Sequence, residues 1–395
     1  MTEVVLVSGV RTAIGTYGGS LREVPATTLA TAVTREAICR AGIRPEDVEH
    51  VVFGSVNPTA KEDPYIARVA AVNAGVPVRV PAVTVNRLCG SGLEAITLGA
   101  RLILTGEADV VVAGGVESMS RAPYWSTKTR WGARMGDDTL LDSVLAGLHD
   151  PFHQIHMGMT AENVAETYHI SRQRQDEYAL LSQQRAVRAI QEGRFRSQIL
   201  PLPIPGRKGE TTIFDTDEHP RPDTSLEKLA ALKPAFKPDG TVTAGNASGL
   251  NDGAAAVVLM SRERAEQLGV PPRARLVSWA VTGCKPEIMG IGPVTAVPKA
   301  LMKAGLQLSD IDVIEFNEAF AAQVLAVVDQ LGLDLDKTNP NGGAIALGHP
   351  IGATGAILTV KLLYELERTA QEWGLVTLCI GGGQGIAAVL RREAA

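Results

Sequence analysis

The stretch AVTVNRLCGSGLEAITLGARLILT, residues 82–105, decides how the rest of the chain is read. Residues 82–86 are mostly apolar and β-branched, the signature of a buried strand, and beyond Gly90-Ser91-Gly92 the residues Leu93, Ile96, Ala100, Ile103 and Leu104 recur at helical spacing. Cys89 therefore sits at a strand-to-helix elbow. Glycines there let the backbone turn sharply and let a ligand approach it, while the first amides of the helix present free N–H groups. The positive end of the helix dipole is expected to pull a thiol at this place toward thiolate, which suits a covalent catalyst.

Two other readings fit the same residues. Gly90-x-Gly92-x-x-Ala95 between a strand and a helix matches a dinucleotide-binding fingerprint, with Asp109 roughly 20 residues on. That fingerprint normally occupies the first turn of its domain, whereas two strands precede it here. The third reading makes Cys89 a small buried hydrophobe beside packing glycines.

A chain of 395 residues with 45% hydrophobic composition can bury a large core over two or three domains. The net charge of -5 is spread without single-sign blocks, which argues against nucleic acid or an anionic membrane as partner. No run of about 18 apolar residues and no signal-like leader is seen, so the expected location is cytoplasmic. The four cysteines, Cys39, Cys89, Cys284 and Cys379, form no CxxC pair and no zinc spacing, as in a reducing compartment with free thiols.

From residue 4 to residue 114 short strands alternate with helices, implying a largely parallel sheet covered on both faces. Residues 121–246 are richer in charge and proline, with strong helical periodicity only over 160–191, and read as an insertion covering one side of the sheet. The alternation resumes after the strand at 254–259, with strands expected at 275–281, 311–316, 375–380 and 386–390. Helices are expected at 295–304, 318–331 and 354–367, and an extended glycine-rich run at 342–347. The second half thus repeats the order of the first, and Gly348-His349-Pro350-Ile351-Gly352 takes the elbow that Cys89 takes in the first. Asn317 follows a strand, and Cys379 precedes Gly381-Gly382-Gly383. Singly each has a structural explanation: Asn317 as a helix cap, His349 as a loop histidine, Cys379 as core. Together they lie at strand ends, where open α/β sheets bind ligands.

The blocks VNRLCGSGLEAI, HMGMTAENVA, TAGNASGLNDGAA, NEAFAAQ, NPNGGAIALGHPIGATGA and CIGGGQGIA resemble a thiolase of the acetyl-CoA C-acetyltransferase and β-ketothiolase branch, in order and spacing along essentially the whole chain. The resemblance implies an α/β thiolase fold: two similar βαβαβαββ halves in five layers, α-β-α-β-α, with an inserted loop domain. Residues 1–120, completed by about 247–271, would be the first half, 121–246 the insertion binding coenzyme A, and 272–395 the second half. It implies Claisen condensation of two acetyl-CoA to acetoacetyl-CoA and coenzyme A, or the reverse thiolysis, by a ping-pong route. Cys89 would be the acetylated nucleophile, His349 its base, Cys379 the acid/base at the α-carbon and Asn317 the holder of a water. Backbone N–H groups of Cys89 and Gly381 would form an oxyanion hole. His156, Met157 and Ser248 would lie along the pantetheine and Arg221 near the nucleotide, while Met289, Leu148 and Met157 shape the acyl pocket.

No cofactor beyond coenzyme A as substrate or product is implied, nor a metal: His153 and His156 read as a pair that no carboxylate or third histidine completes. A homotetramer built as a dimer of dimers is expected, with residues 124–136 at the contact. Arg87 stands where members dedicated to acetoacetyl-CoA often carry Gln, so a degradative thiolase for longer or dicarboxylic chains is the alternative. A non-catalytic acyl-CoA-binding relative is a further one, although Cys89, Asn317, His349 and Cys379 are all present.

Overall fold

The computed structural model describes residues 2–206 and 210–393. In chain order the first half consists of β1 (Val4–Thr12), α1 (Ala26–Ala41), β2 (His50–Gly54), α2 (Ile66–Asn73), β3 (Ala82–Val85), α3 (Ser91–Leu104) and β4 (Val110–Ser118). An excursion carrying α4 (Met157–Thr167) and α5 (Arg172–Gln191) follows, and β5 (Asn251–Ser261) closes the half. The second half is β6 (Ala274–Gly283), α6 (Pro293–Ala304), β7 (Val313–Phe316), α7 (Ala321–Leu331), α8 (Thr354–Thr369), β8 (Trp373–Ile380) and β9 (Gln384–Arg392).

The main strands run in the order β7-β8-β9-β6-β1-β5-β4-β2-β3. This is two sheets joined at one seam, because β1 and β6 share only the pairs Val5–Arg275 and Leu6–Ala274. Helices α1 and α2 pack on the first sheet and α6 on the second, while α3 and α8 pack on each other between them, giving the five layers. Strands β1, β4 and β5 are buried along their whole length, which is why they carry almost no polar alternation.

The halves repeat at the level of single hydrogen bonds. Helices α1 and α6 both end on a left-handed glycine, Gly42 at φ 68° and Gly305 at φ 70°. Asp47 then accepts the N–H of Arg44 at 3.0 Å, as Asp310 accepts that of Gln307 at 2.8 Å. Glu49 receives the N–H of Val110 at the start of β4, and Asp312 that of Trp373 at the start of β8. Ser8 donates to the Ala37 carbonyl and Ser278 to that of Ala300, each at 2.7 Å, and both serines follow the same break in ladder register. Four of these seven pairs keep the residue type, but they are scattered among dissimilar neighbours, so the sequence alone shows little of this.

Three expectations change. The sheets are mixed and not largely parallel: β2 pairs parallel with β3 and β4, and β7 with β8, whereas β1, β5, β6 and β9 join their neighbours in the strand order antiparallel. The run 342–347 is not extended: Ala344–Leu347 is a short helix, whose Ile345 N–H donates to the buried Glu318 carboxylate. The periodic stretch 160–191 is two helices, parted where His169 takes φ 55° and Ser171 caps α5. The excursion is tied to the first half by Arg11, fully buried, which donates to both oxygens of Asp217 at 2.7 and 2.9 Å and to Gln198 at 2.7 Å. Its residues 124–142 form a hairpin whose Trp131 and Met135 are 88% and 98% exposed.

Helices α3 and α8 touch backbone to backbone. A Cβ on Gly92 would lie 2.6 Å from the amide nitrogen of Ala356, and one on Gly355 would collide with that of Leu93. Gly355→Ala is therefore expected to cost roughly 1–3 kcal/mol through overpacking. Urea unfolding checks this, and an unchanged midpoint contradicts the crossing.

Candidate active site

The crossing brings two elbows together. The first is made by Leu88, held at φ 46° where branched side chains seldom go, so that Cys89 is presented just ahead of α3. Ser91 fixes the turn by accepting the Arg87 N–H at 2.8 Å and donating to the Leu88 carbonyl at 2.7 Å. The second elbow carries His349 ahead of α8. Gly348 takes φ 107° there, and a Cβ on it would collide with the Asn251 amide that accepts the His349 N–H at 2.9 Å.

Hydrogen bonds assign the histidine tautomer. The Thr354 hydroxyl donates its single proton to the Pro350 carbonyl at 2.9 Å, so its oxygen accepts from His349 Nδ1–H at 2.6 Å. Nε2 is left as the acceptor, 3.4 Å from the Asn317 amide nitrogen. Burial lowers the His349 pKa to about 4, so the ring is neutral at ordinary pH. Asn317 is itself fully buried, and its Oδ1 has no partner among the described residues.

The thiols differ from the sequence expectation. Cys89 is half-buried, and loss of water pushes its pKa up to about 11 although the N–H groups of Gly381 and of Cys89 itself point at the sulfur. Desolvation outweighs the helix end, so Cys89 rests as a thiol and not as the thiolate that the dipole argument favours. Cys379 is fully buried and pushed well above the usual thiol range, first by burial and then by the neighbouring Cys89 and Cys284. The turn Gly381-Gly382-Gly383 joins β8 to β9, with φ of 79° and 84° at its last two residues. It thereby aims the Gly381 N–H at Cys89 from the second half of the molecule.

Cys89 and His349 open onto one apolar cavity of about 270 Å³ whose wall includes Leu148, His156, Met157, Ser248, Met289 and Phe320. Cys379 lies behind that wall, packed with Met157, Met289 and Phe320. Arg221 does not line this cavity; it lines a more polar one of about 150 Å³ that shares Ala244 with the first. Arg87 also lies off the cavity wall, donating to Glu94 at 3.1 Å and to Gln384 at 3.0 Å.

The histidines of the excursion have separate tasks. His156 caps α4 by accepting the Gly158 N–H at 3.0 Å and stacks on Phe236 at 4.8 Å. His153 pairs instead with Asp150 at 2.9 Å, and His149 packs edge-on to His156. A carboxylate and a third histidine are thus nearby after all, yet among the described residues no three such groups are placed to hold a metal ion. Sequence reading missed Thr354 and Asn251, which orient His349, and Phe236. The first two stand inside the quoted blocks, but only the fold shows what they bond.

The model of the thiolase N-terminal domain matches residues 4–263 and that of the thiolase C-terminal domain residues 270–392. Beta-ketothiolase BktB of Cupriavidus necator is 61% identical over 391 residues, 99% of each chain. An acetyl-CoA acetyltransferase of Pseudomonas aeruginosa is 54% identical over 394 residues, 100% of each. The crystal structure of the Bacillus anthracis acetyl-CoA acetyltransferase superposes with a TM-score of 0.97 at 48% identity, covering 100% of this chain and 99% of that one. Human mitochondrial 3-ketoacyl-CoA thiolase in complex with CoA gives 0.96 at 46% identity, covering 100% and 98%. The chain belongs to the thiolase family, as an acyltransferase of the acetyl-CoA acetyltransferase and β-ketothiolase type.

Proposed function

We propose that the chain joins two acetyl-CoA into acetoacetyl-CoA and coenzyme A, and reverses this by thiolysis of short β-ketoacyl-CoA, through an acetyl group carried on Cys89. The observation that carries the reading is the meeting of Cys89 and His349, with its unprotonated Nε2, at one apolar cavity, the Gly381 N–H aimed at the Cys89 sulfur and Cys379 packed behind the wall. In the first step His349 Nε2 takes the Cys89 proton while Thr354 holds Nδ1–H, and the sulfur attacks the thioester carbonyl. The developing oxyanion receives the N–H groups of Cys89 and Gly381. Coenzyme A leaves as its thiol with the proton of Cys379.

In the second step the Cys379 thiolate removes an α-proton of the next acetyl-CoA. The enolate oxygen is met by protonated His349 and a water held by Asn317, whose buried Oδ1 is otherwise unpartnered. Attack on acetyl-Cys89 forms the carbon–carbon bond, and Cys89 leaves with the proton of His349. Each step moves a proton or an acyl group, and no electron acceptor is needed.

Coenzyme A would run along the excursion, with His156, Met157 and Ser248 beside the pantetheine, Met289 and Leu148 beside the acyl group and Arg221 toward the nucleotide. Residues 1–120 with 247–271, 121–246 and 272–395 would act as three units, in a cytoplasmic homotetramer joined through residues 124–136 of the exposed hairpin. Acyl-chain choice is assigned to the methionine and leucine wall, because Arg87 is engaged elsewhere.

Three outcomes are expected. Cys89→Ala abolishes acyl transfer in a thiolysis assay, and retained turnover contradicts the nucleophile. Thr354→Val lowers kcat about 10- to 100-fold with KM nearly unchanged, a share of what a positioned base supplies; a full-rate variant refutes the tautomer assignment. In a thiolysis series from acetoacetyl-CoA to 3-ketohexanoyl-CoA, Arg87→Gln leaves the ratio of kcat/KM values unchanged, and a shifted ratio would assign chain choice to Arg87.

A further inference from the structure

The carboxylate of Glu117, the next-to-last residue of β4, is 1% exposed and takes no part in the steps above. It has no cationic partner among the described residues. Its oxygens instead accept three backbone N–H groups from two different loops. Oε1 accepts from Asn57 at 2.9 Å, and Oε2 from Val56 at 3.1 Å and from Gly352 at 2.8 Å. Val56 and Asn57 follow β2, while Gly352 lies three residues beyond His349. One side chain thus ties the second-half elbow to the first-half sheet.

The surroundings leave little slack. A Cβ on Gly352 would lie 2.6 Å from Glu117 Oε2 and 2.9 Å from both the Val116 carbonyl and Ser55 Cα, and one on Gly115 would collide with the Gly352 carbonyl. The residues next to the clamped amides close on the nucleophile: Val56 and Ile351 pack in one cluster with Cys89, Leu148 and Leu250.

Resting on the mechanism above, we propose that Glu117 is a positioning residue whose ionised carboxylate holds the His349 elbow against the Cys89 elbow. Three acceptor sites are needed at once, and only the carboxylate offers them on both oxygens; a neutral acid or an amide turns one end into a donor facing an N–H. The titratable groups around it are Cys89 on the facing elbow, His349 on the clamped one and Asp252 on β5, opposite Ser118. None is cationic at neutral pH.

Burial, and behind it the charge of Asp252, push Glu117 up to about 7 against the pull of its three N–H donors. The sign follows. Above about 7 the carboxylate is charged and the clamp complete; as pH falls through that value it takes a proton and the clamp weakens. His349, at about 4, does not titrate there. The same negative charge raises the Cys89 pKa, so Glu117 also helps keep the nucleophile protonated until His349 takes the proton.

The test compares wild type, Glu117→Gln and Glu117→Asp by steady-state thiolysis of acetoacetyl-CoA across pH and by iodoacetamide alkylation of Cys89. Glu117→Gln is expected to lower kcat about 10- to 100-fold, as small displacements of a catalytic group do, with KM within about threefold. It should also lose the acidic limb near 7, and its Cys89 should alkylate faster at a fixed pH above 7, because the negative charge that helps hold the thiol protonated is gone. General loosening would admit water to Cys89 and speed alkylation in both variants, so the contrast with the charge-keeping Glu117→Asp separates the two causes. Glu117→Asp keeps the charge but shortens the reach, so its kcat falls while alkylation stays at the wild-type rate. Full kcat in either variant overturns the proposal, as does unchanged or slower alkylation of a folded Glu117→Gln protein. Wild type that does not cleave acetoacetyl-CoA rejects the mechanism itself, and the alkylation comparison, which needs no turnover, still judges Glu117.

Discussion

The backbone contact of α3 with α8 at Gly92 and Gly355 is the constraint on which the rest depends. Each half makes a strand–elbow–helix unit, and each unit by itself presents one reactive side chain at a helix start. Only because two glycines let the helices touch do the elbows face one another, so that Cys89 from one half meets His349 from the other. The β8–β9 turn then adds the Gly381 N–H and, at the end of β8, Cys379. An ordinary side chain at either glycine would wedge the helices apart and separate the groups that have to exchange a proton.

The second governing factor is the removal of water. Burial raises both thiols and lowers the imidazole, so all three rest uncharged, with Cys89 at about 11 and His349 at about 4. Charge appears only when a substrate carbonyl is there to receive it, where the N–H groups of Cys89 and Gly381 already point. Fixed donors in a dry site favour the oxyanion without reorganisation at the moment of reaction. The buried carboxylates Glu117 and Glu318 stand behind the second elbow, Glu117 accepting the N–H groups of Val56, Asn57 and Gly352 and Glu318 that of Ile345.

Much of this was legible in the sequence. The apolar periodicity around residues 82–105 and the two glycine-flanked elbows are local signals, and they placed Cys89 and His349 correctly ahead of α3 and α8. The protonation state of Cys89 was not legible, because a helix-end argument sees only the local dipole whereas desolvation comes from the excursion and the second half closing over it. The helix at Ala344–Leu347 escaped for a similar reason: its N–H partner, Glu318, is set by the distant Tyr178 and Ser182 of α5. Thr354, Asn251 and Glu117 look unremarkable as letters. Their importance lies in which backbone groups they reach, and that is a property of the folded crossing.

The central claim is that the two thiols divide the work, Cys89 carrying the acyl group and Cys379 moving protons. Peptide mass spectrometry on the Cys379→Ala protein after mixing with acetyl-CoA tests it most directly. The account predicts an acetyl group on the peptide containing Cys89, together with severely slowed condensation. Acetyl found on another residue, or never found in that variant, would contradict it.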